Sequence, residues 1–303
     1  MRAWLPVSIC VFAGVAAGCQ SLQSPTTAAA PSMKEARVDG ATLNYVEQGQ
    51  GVPVIFVHGA FSDHRNWEAQ RSEIAKRYRY IALDQRYFGS APWSEDATRY
   101  SMTTHANDLT AFIQQLNAGP AHVVAWSYGG AVALILAVQR PDLVRSLFLY
   151  EPALPTIVTD AADQKTLAEE RKGLAPAVAA SRANNQAQAV QIFADWVNDQ
   201  PGSFDSLPAP MRNAHLENGR TLPAHFASPP PPAITCEQLG QVKVPVVVAK
   251  GQQSRAFFTI LADTTQRCIP GSRLVVTPNA RHGGPIQNSA AFNAALLAHL
   301  EGR

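Results

Sequence analysis

The stretch Ala125-Trp126-Ser127-Tyr128-Gly129-Gly130 limits what this chain can fold into more than any other. It joins an apolar, β-type run (121–126) to a helix-patterned one (130–139). A serine with small residues at −2, +2 and +3 on such a turn sits on a sharp strand-to-helix bend, its hydroxyl lifted above the sheet. Larger side chains at positions 125, 129 or 130 would collide with neighbouring backbone. Alanine at 125 replaces the first glycine of the usual pattern, a departure of one methyl group.

Strand and helix patterns alternate on both sides of this turn. Residues 34–49 alternate in polarity and are broken by Asp39-Gly40, a two-residue hairpin signal. Residues 52–57 form a β-rich apolar run ending in His58-Gly59, followed by a helical pattern over 65–78 and a strand at 80–83. The turn 84–90, a helix over 102–116 and the strand 121–126 come next. A further strand, 143–150, ends in Glu151-Pro152. The rhythm then stops: residues 153–232 carry helical spacing and no clear strand. It resumes with a strand at 242–249, a helix at 256–267, a strand at 274–277 and a helix at 290–301. This predicts an α/β fold with a mainly parallel sheet and helices on both faces. The core is expected over 34–152 and 236–303, with a helical cap (153–235) over the strand ends, where open α/β sheets bind ligands.

The first 18 residues are of another kind. Arg2 precedes an apolar run (3–15) and then Ala16-Ala17-Gly18-Cys19, the layout of an export signal with a small-residue cleavage site. Small residues before Cys19 resemble a bacterial lipobox, which predicts lipidation of Cys19 and a periplasmic or outer-membrane-anchored protein. Ordinary signal cleavage is the alternative. Residues 19–33 read as a flexible tether, and nothing after them is long and apolar enough to span a membrane. Outside the leader and Cys19, the remaining cysteines are Cys236 and Cys268. In an oxidising compartment such a pair predicts one disulfide, two buried free thiols being the alternative.

A net charge of +2 gives no electrostatic case for nucleic acid, and 46% apolar with 16% charged residues describes a chain that folds. No phosphate loop or dinucleotide fingerprint is present, so no cofactor is expected. Asp63, His64 and Arg65 have no recognisable metal spacing, and no metal is expected either. The chemistry centres on Ser127, which needs a base and a group to orient that base. Of eight histidines, His282 alone follows the final strand in a turn-forming loop. For the acid, the loop after 242–249 holds no carboxylate, and Ser254 stands where an aspartate is expected. Glu151, at the tip of the preceding strand, can reach the same imidazole; the alternative is a surface or helix-terminus glutamate. The order Ser127, Glu151, His282 matches the serine–acid–histidine order of elbow-bearing hydrolases. Backbone N–H groups of Tyr128 and Ala60, with Phe61 next, are candidates for an oxyanion hole. His58 reads as a structural loop residue, and Asp84, Arg86 and Gly89-Ser90 as a turn held by internal hydrogen bonds.

Together, His58-Gly59, Ala125 to Gly130 and His282 resemble the α/β-hydrolase fold superfamily, in its capped branch, from about residue 34 to the C-terminus. The resemblance implies an eight-stranded sheet, a helical cap and a catalytic triad, with Glu151 at the after-strand-six position that some branches use for the acid. Serine at 127 argues against the dehalogenase and epoxide hydrolase branches, which use an aspartate nucleophile. The expected function is hydrolysis of a small-molecule ester, thioester or lactone. Carbon–carbon bond hydrolysis or bulky-ring lactone opening by the same triad, and a catalytically silent tethered binding protein, are the rivals.

Overall fold

Asp39 (φ 41°) and Gly40 (φ 76°) both take the left-handed conformation that a tight two-residue turn requires. They fold β1 (Met33–Val38) back on β2 (Ala41–Gln48) as the expected antiparallel hairpin. β3 (Pro53–Val57), β4 (Arg79–Leu83), β5 (Ala121–Trp126), β6 (Val144–Tyr150), β7 (Val246–Gly251) and β8 (Arg273–Thr277) complete one eight-stranded sheet of order β1-β2-β4-β3-β5-β6-β7-β8. Pairings from β4 to β8 are parallel, and only β1·β2 and β2·β4 are antiparallel. This computed structural model describes residue 1, residues 32–93 and residues 96–303. The expected leader beyond Met1, Cys19 and most of the expected tether lie outside the described residues.

Successive residues of the central strands point to opposite faces. Ile55, Val57, Val123, Ala125, Leu147 and Leu149 join one core. It includes residues of α2 (Met102–Gln115), α3 (Tyr128–Gln139) and, further along the chain, the helix Ala256–Cys268. Val54, Phe56, Val124, Trp126, Phe148 and Tyr150 join the other, with Trp67, Ile74 of α1 (Glu68–Ile74), and Phe292 and Leu296 of the closing helix. Near-continuous apolar strands are what a sheet covered on both faces demands.

Between β6 and β7 the chain builds the cap: α4 (Ala161–Lys172), α5 (Ala175–Arg182), α6 (Gln186–Val197), α7 (Ser203–Ser206), α8 (Ala209–Asn218) and α9 (Leu222–Ala227). α10 (Cys236–Leu239), α11 (Ala256–Cys268), α12 (Gly284–Gln287) and α13 (Ser289–Leu300) complete the core. Cys236 and Cys268 are disulfide-bonded, with Cα atoms 4.8 Å apart, tying the start of α10 to the end of α11.

Three boundaries differ from expectation. The strand expected at 242–249 runs from Val246 to Gly251, because Pro245 has no N–H for the ladder and Lys250 and Gly251 still pair with β8. Leu143 belongs to a 3-10 turn opened by Pro141 and not to β6. The helix expected over 65–78 is a 3-10 turn, His64–Trp67, capped by the Asp63 carboxylate, followed by the shorter α1.

Candidate active site

The bend after β5 has the geometry its residues predict. Ser127 lies at φ 56°, ψ −118°, a strained conformation for a residue with a side chain. Its N–H donates to Tyr150 O (2.9 Å), and its carbonyl accepts from Ala131 N (3.2 Å) and Ala153 N (2.9 Å). The small residues are needed for close approach. A Cβ on Gly129 would lie 2.4 Å from His58 O and 2.6 Å from Val57 O, and one on Gly130 would lie 2.8 Å from the Pro152 Cα. Ala125 is wholly buried, so its extra methyl is accommodated in the core.

The two groups expected to assist Ser127 meet each other. His282 Nδ1 and Glu151 Oε2 are 2.6 Å apart, and both residues are buried. Glu151 sits just past β6 at φ 44°, its N–H donating to Ala249 O of β7 (2.8 Å). Its other oxygen, Oε1, accepts from Gly251 N (2.8 Å) and from the Ser254 hydroxyl. Glu151 is therefore a fully engaged interior carboxylate and not a surface glutamate. Ser254, at the position where an acid was expected, instead hydrogen-bonds the carboxylate arriving from the neighbouring strand. Phe258 stacks flat on the His282 ring (centroids 3.6 Å, interplanar 14°) and Trp126 lies 5.8 Å away, fixing the imidazole plane. Ser127, Trp126, His282 and Ala60 line one small cleft of about 60 Å³.

The loop after β3 crosses directly above Ser127, since a Cβ on Gly59 would stand 3.3 Å from the Ser127 Cβ. His58 anchors that loop: its Nδ1 meets Gly59 O (2.7 Å) and its Nε2 accepts from Gln85 N (3.0 Å). Burial lowers its pKa, consistent with a neutral ring protonated on Nδ1. It is structural, as expected. Phe61 takes φ 39°, and its carbonyl lies 3.1 Å from Nδ1 of His215, on cap helix α8. Among the described residues the Ala60 N–H meets no acceptor, and the Tyr128 N–H is one of the unpaired donors of the first turn of α3. The geometry thus leaves both candidate oxyanion donors available.

One reading needs correction. Arg86 reaches beyond its own turn: it forks onto both oxygens of Asp108 of α2 (2.7 Å each) and meets Asp39 O (3.1 Å). Asp84 likewise accepts from His64 N (2.8 Å) and lies 2.7 Å from His64 Nδ1. Although Asp63 and His64 have no metal spacing in sequence, folding brings them together with Asp84, with donor atoms within 4.8 Å of one another. Asp63 is already engaged by Arg65 (2.6 and 2.9 Å) and by Asn218 of the cap (2.6 Å), so these residues form a polar cluster linking core and cap.

The sequence profile of the alpha/beta hydrolase fold family matches residues 52–289, and the chain belongs to that family. It is similar to the 2-(acetamidomethylene)succinate hydrolase of Mesorhizobium japonicum, with 29% identity over 248 residues, 80% of this chain and 85% of that protein. Its fold is that of the enol-lactonase from Burkholderia xenovorans (TM-score 0.73, 19% identity, 88% of this chain and 100% of that one). An esterase from Thermogutta terrifontis is similar as well (TM-score 0.68, 21% identity, 89% and 98% covered). The protein is a hydrolase of this fold.

Proposed function

We propose that this hydrolase cleaves a carboxylic ester, thioester or lactone through an acyl-enzyme on Ser127. The observation that carries the reading is the buried Glu151–His282 pair, whose imidazole lines the same cleft as Ser127 on its strained bend. The Ser127 hydroxyl attacks the carbonyl carbon and His282 takes its proton. Glu151 keeps the imidazole in the Nδ1–H tautomer and stabilises the imidazolium that forms. The Ala60 and Tyr128 N–H groups receive the negative charge that develops on the carbonyl oxygen. His282 then hands its proton to the departing alkoxide oxygen or thiolate sulfur as the tetrahedral intermediate collapses, so that it leaves as the alcohol or thiol. A water deprotonated by His282 releases the acid and restores Ser127.

The names of the similar proteins, an enol-lactonase and an esterase among them, support ester-type substrates. Ser254 and Gly251 holding Glu151 in place also favour this reading over a silent binding scaffold, which needs no oriented acid. The N-terminal residues support export, with Cys19 as lipid site or lost with a cleaved leader, and a disulfide is of the kind kept in oxidising compartments.

The test is acid-quenched reaction with p-nitrophenyl acetate, followed by peptide mass spectrometry. An acetyl group on the Ser127 peptide, lost in Ser127→Ala, is expected. Turnover of the ester with no adduct at Ser127 in any quench time would contradict the assignment.

A further inference from the structure

The cleft at Ser127 is too small to hold much of a substrate, and a larger space lies beside it. Phe193, Val197 and Phe258 separate the cleft from a cavity of about 670 Å³ under the cap. The partition is thin: Val197 lines both spaces, Phe193 packs 4.8 Å from Phe61 of the cleft, and Phe258 stacks on His282. Tyr128, the residue after the nucleophile, also lines the cavity. One wall is a face of α5, with Ala175, Val178, Ala179 and Arg182 at helical spacing.

The lining is aromatic and aliphatic, contains no Asp or Glu, and includes two arginines, Arg171 and Arg182. Neither guanidinium has a hydrogen-bond or ion-pair partner among the described residues. The carboxylates next to Arg171 are committed elsewhere, Glu169 to Lys172 (2.7 Å) and Glu170 to Arg255 (2.6 Å). Arg171 is also felt inside the cavity. Burial, and then the Arg171 charge, hold the pKa of the lining His225 down to about 4. Both arginines are solvent-exposed at the rim of this acid-free cavity, where a ligand group of opposite charge would pair with a guanidinium.

We propose that this cavity receives an organic anion, an apolar body bearing a carboxylate that pairs with Arg171. The inference rests on the reading of Ser127 as nucleophile only in making that anion the acyl part of the substrate. Arg182 ends α5, about 10 Å further along the wall from the start of that helix at a rise of 1.5 Å per residue, and serves as an internal control of equal charge.

The experiment is titration calorimetry of the full chain carrying Ser127→Ala, with 4-phenylbutanoate and with its uncharged primary amide. The acid is expected to bind about tenfold more tightly than the amide. Arg171→Gln should erase that preference, Arg171→Lys should keep most of it, and Arg182→Gln should leave it intact. No binding of either compound, equal affinity for both, or a preference that survives Arg171→Gln would overturn the proposal. Since binding is read without turnover, failure of the acyl-enzyme test leaves this result standing, and the reverse also holds.

Discussion

Glu151 has three hydrogen-bonding contacts on its carboxylate, and only one of them faces His282. Removing the charge and removing a support are therefore different experiments. Glu151→Gln should lower kcat/KM by about 10³–10⁴, because the amide no longer favours the productive imidazole tautomer. Ser254→Ala should keep the charge and lose one charge-assisted hydrogen bond, lowering kcat/KM about tenfold with KM little changed. Steady-state kinetics on one ester checks both, and equal losses in the two variants would contradict this division of roles. The Glu151 contact with His282 was legible in the sequence because its place is set by chain order, at a strand tip between Ser127 and His282. Ser254 was legible only as the want of an acid after β7. Its contact with Glu151 exists because β6 and β7 are neighbours in the sheet, and pairing of distant segments leaves no local trace.

At the scale of elements, the elbow and the cap docking are the two joints that shape the site. Gly129→Ala would set a methyl against the carbonyls of Val57 and His58, backbone atoms that cannot step aside. It should cost about 3 kcal/mol or more, read as a loss of folded yield or a drop in the denaturation midpoint. On the cap, Asn218 Oδ1 accepts from Gly89 N (2.7 Å) and its Nδ2 donates to Asp63 (2.6 Å), both buried. Arg220 of the cap also reaches Gly89 O and Ala91 O (2.8 Å each). Asn218→Ala should destabilise by about 2–3 kcal/mol, through unpaired partners left in the interior, and should raise KM as the cap loosens. Urea denaturation and ester kinetics test the two halves. Strand–helix alternation and the long helical insertion could be read from periodicity. The start of β7 could not, because the apolar run continues smoothly through Pro245 and only the missing N–H ends the ladder.

For the whole molecule, two properties bear on stability. The Cys236–Cys268 bond joins residues 32 apart in sequence, and in the chain-entropy model a loop of that length contributes about 3–4 kcal/mol. Reduction should lower the thermal midpoint without abolishing the fold, since Cys268 itself and Leu239 of α10 remain packed in the core. Burial holds His105 down to about 3, and His122 and His299 to about 4. Their unfolded-state values lie near 6.5, so the unfolded chain binds more protons as pH falls. The stability they contribute is complete above about pH 6.5 and is lost between there and about pH 4. Calorimetry should show a level Tm from pH 7 to 8 and a steady decline below 6.5; a flat Tm to pH 4.5 would contradict it.

The most direct test of the catalytic account is labelling with a fluorophosphonate probe, which reports an activated serine whatever the natural substrate. Wild type, Ser127→Ala, His282→Ala and Glu151→Gln would be compared at equal folded concentration. The account predicts rapid labelling of wild type, none in Ser127→Ala, and sharply slowed labelling in the other two. A folded wild-type protein that does not label, or a Glu151→Gln variant that labels at the wild-type rate, would contradict it.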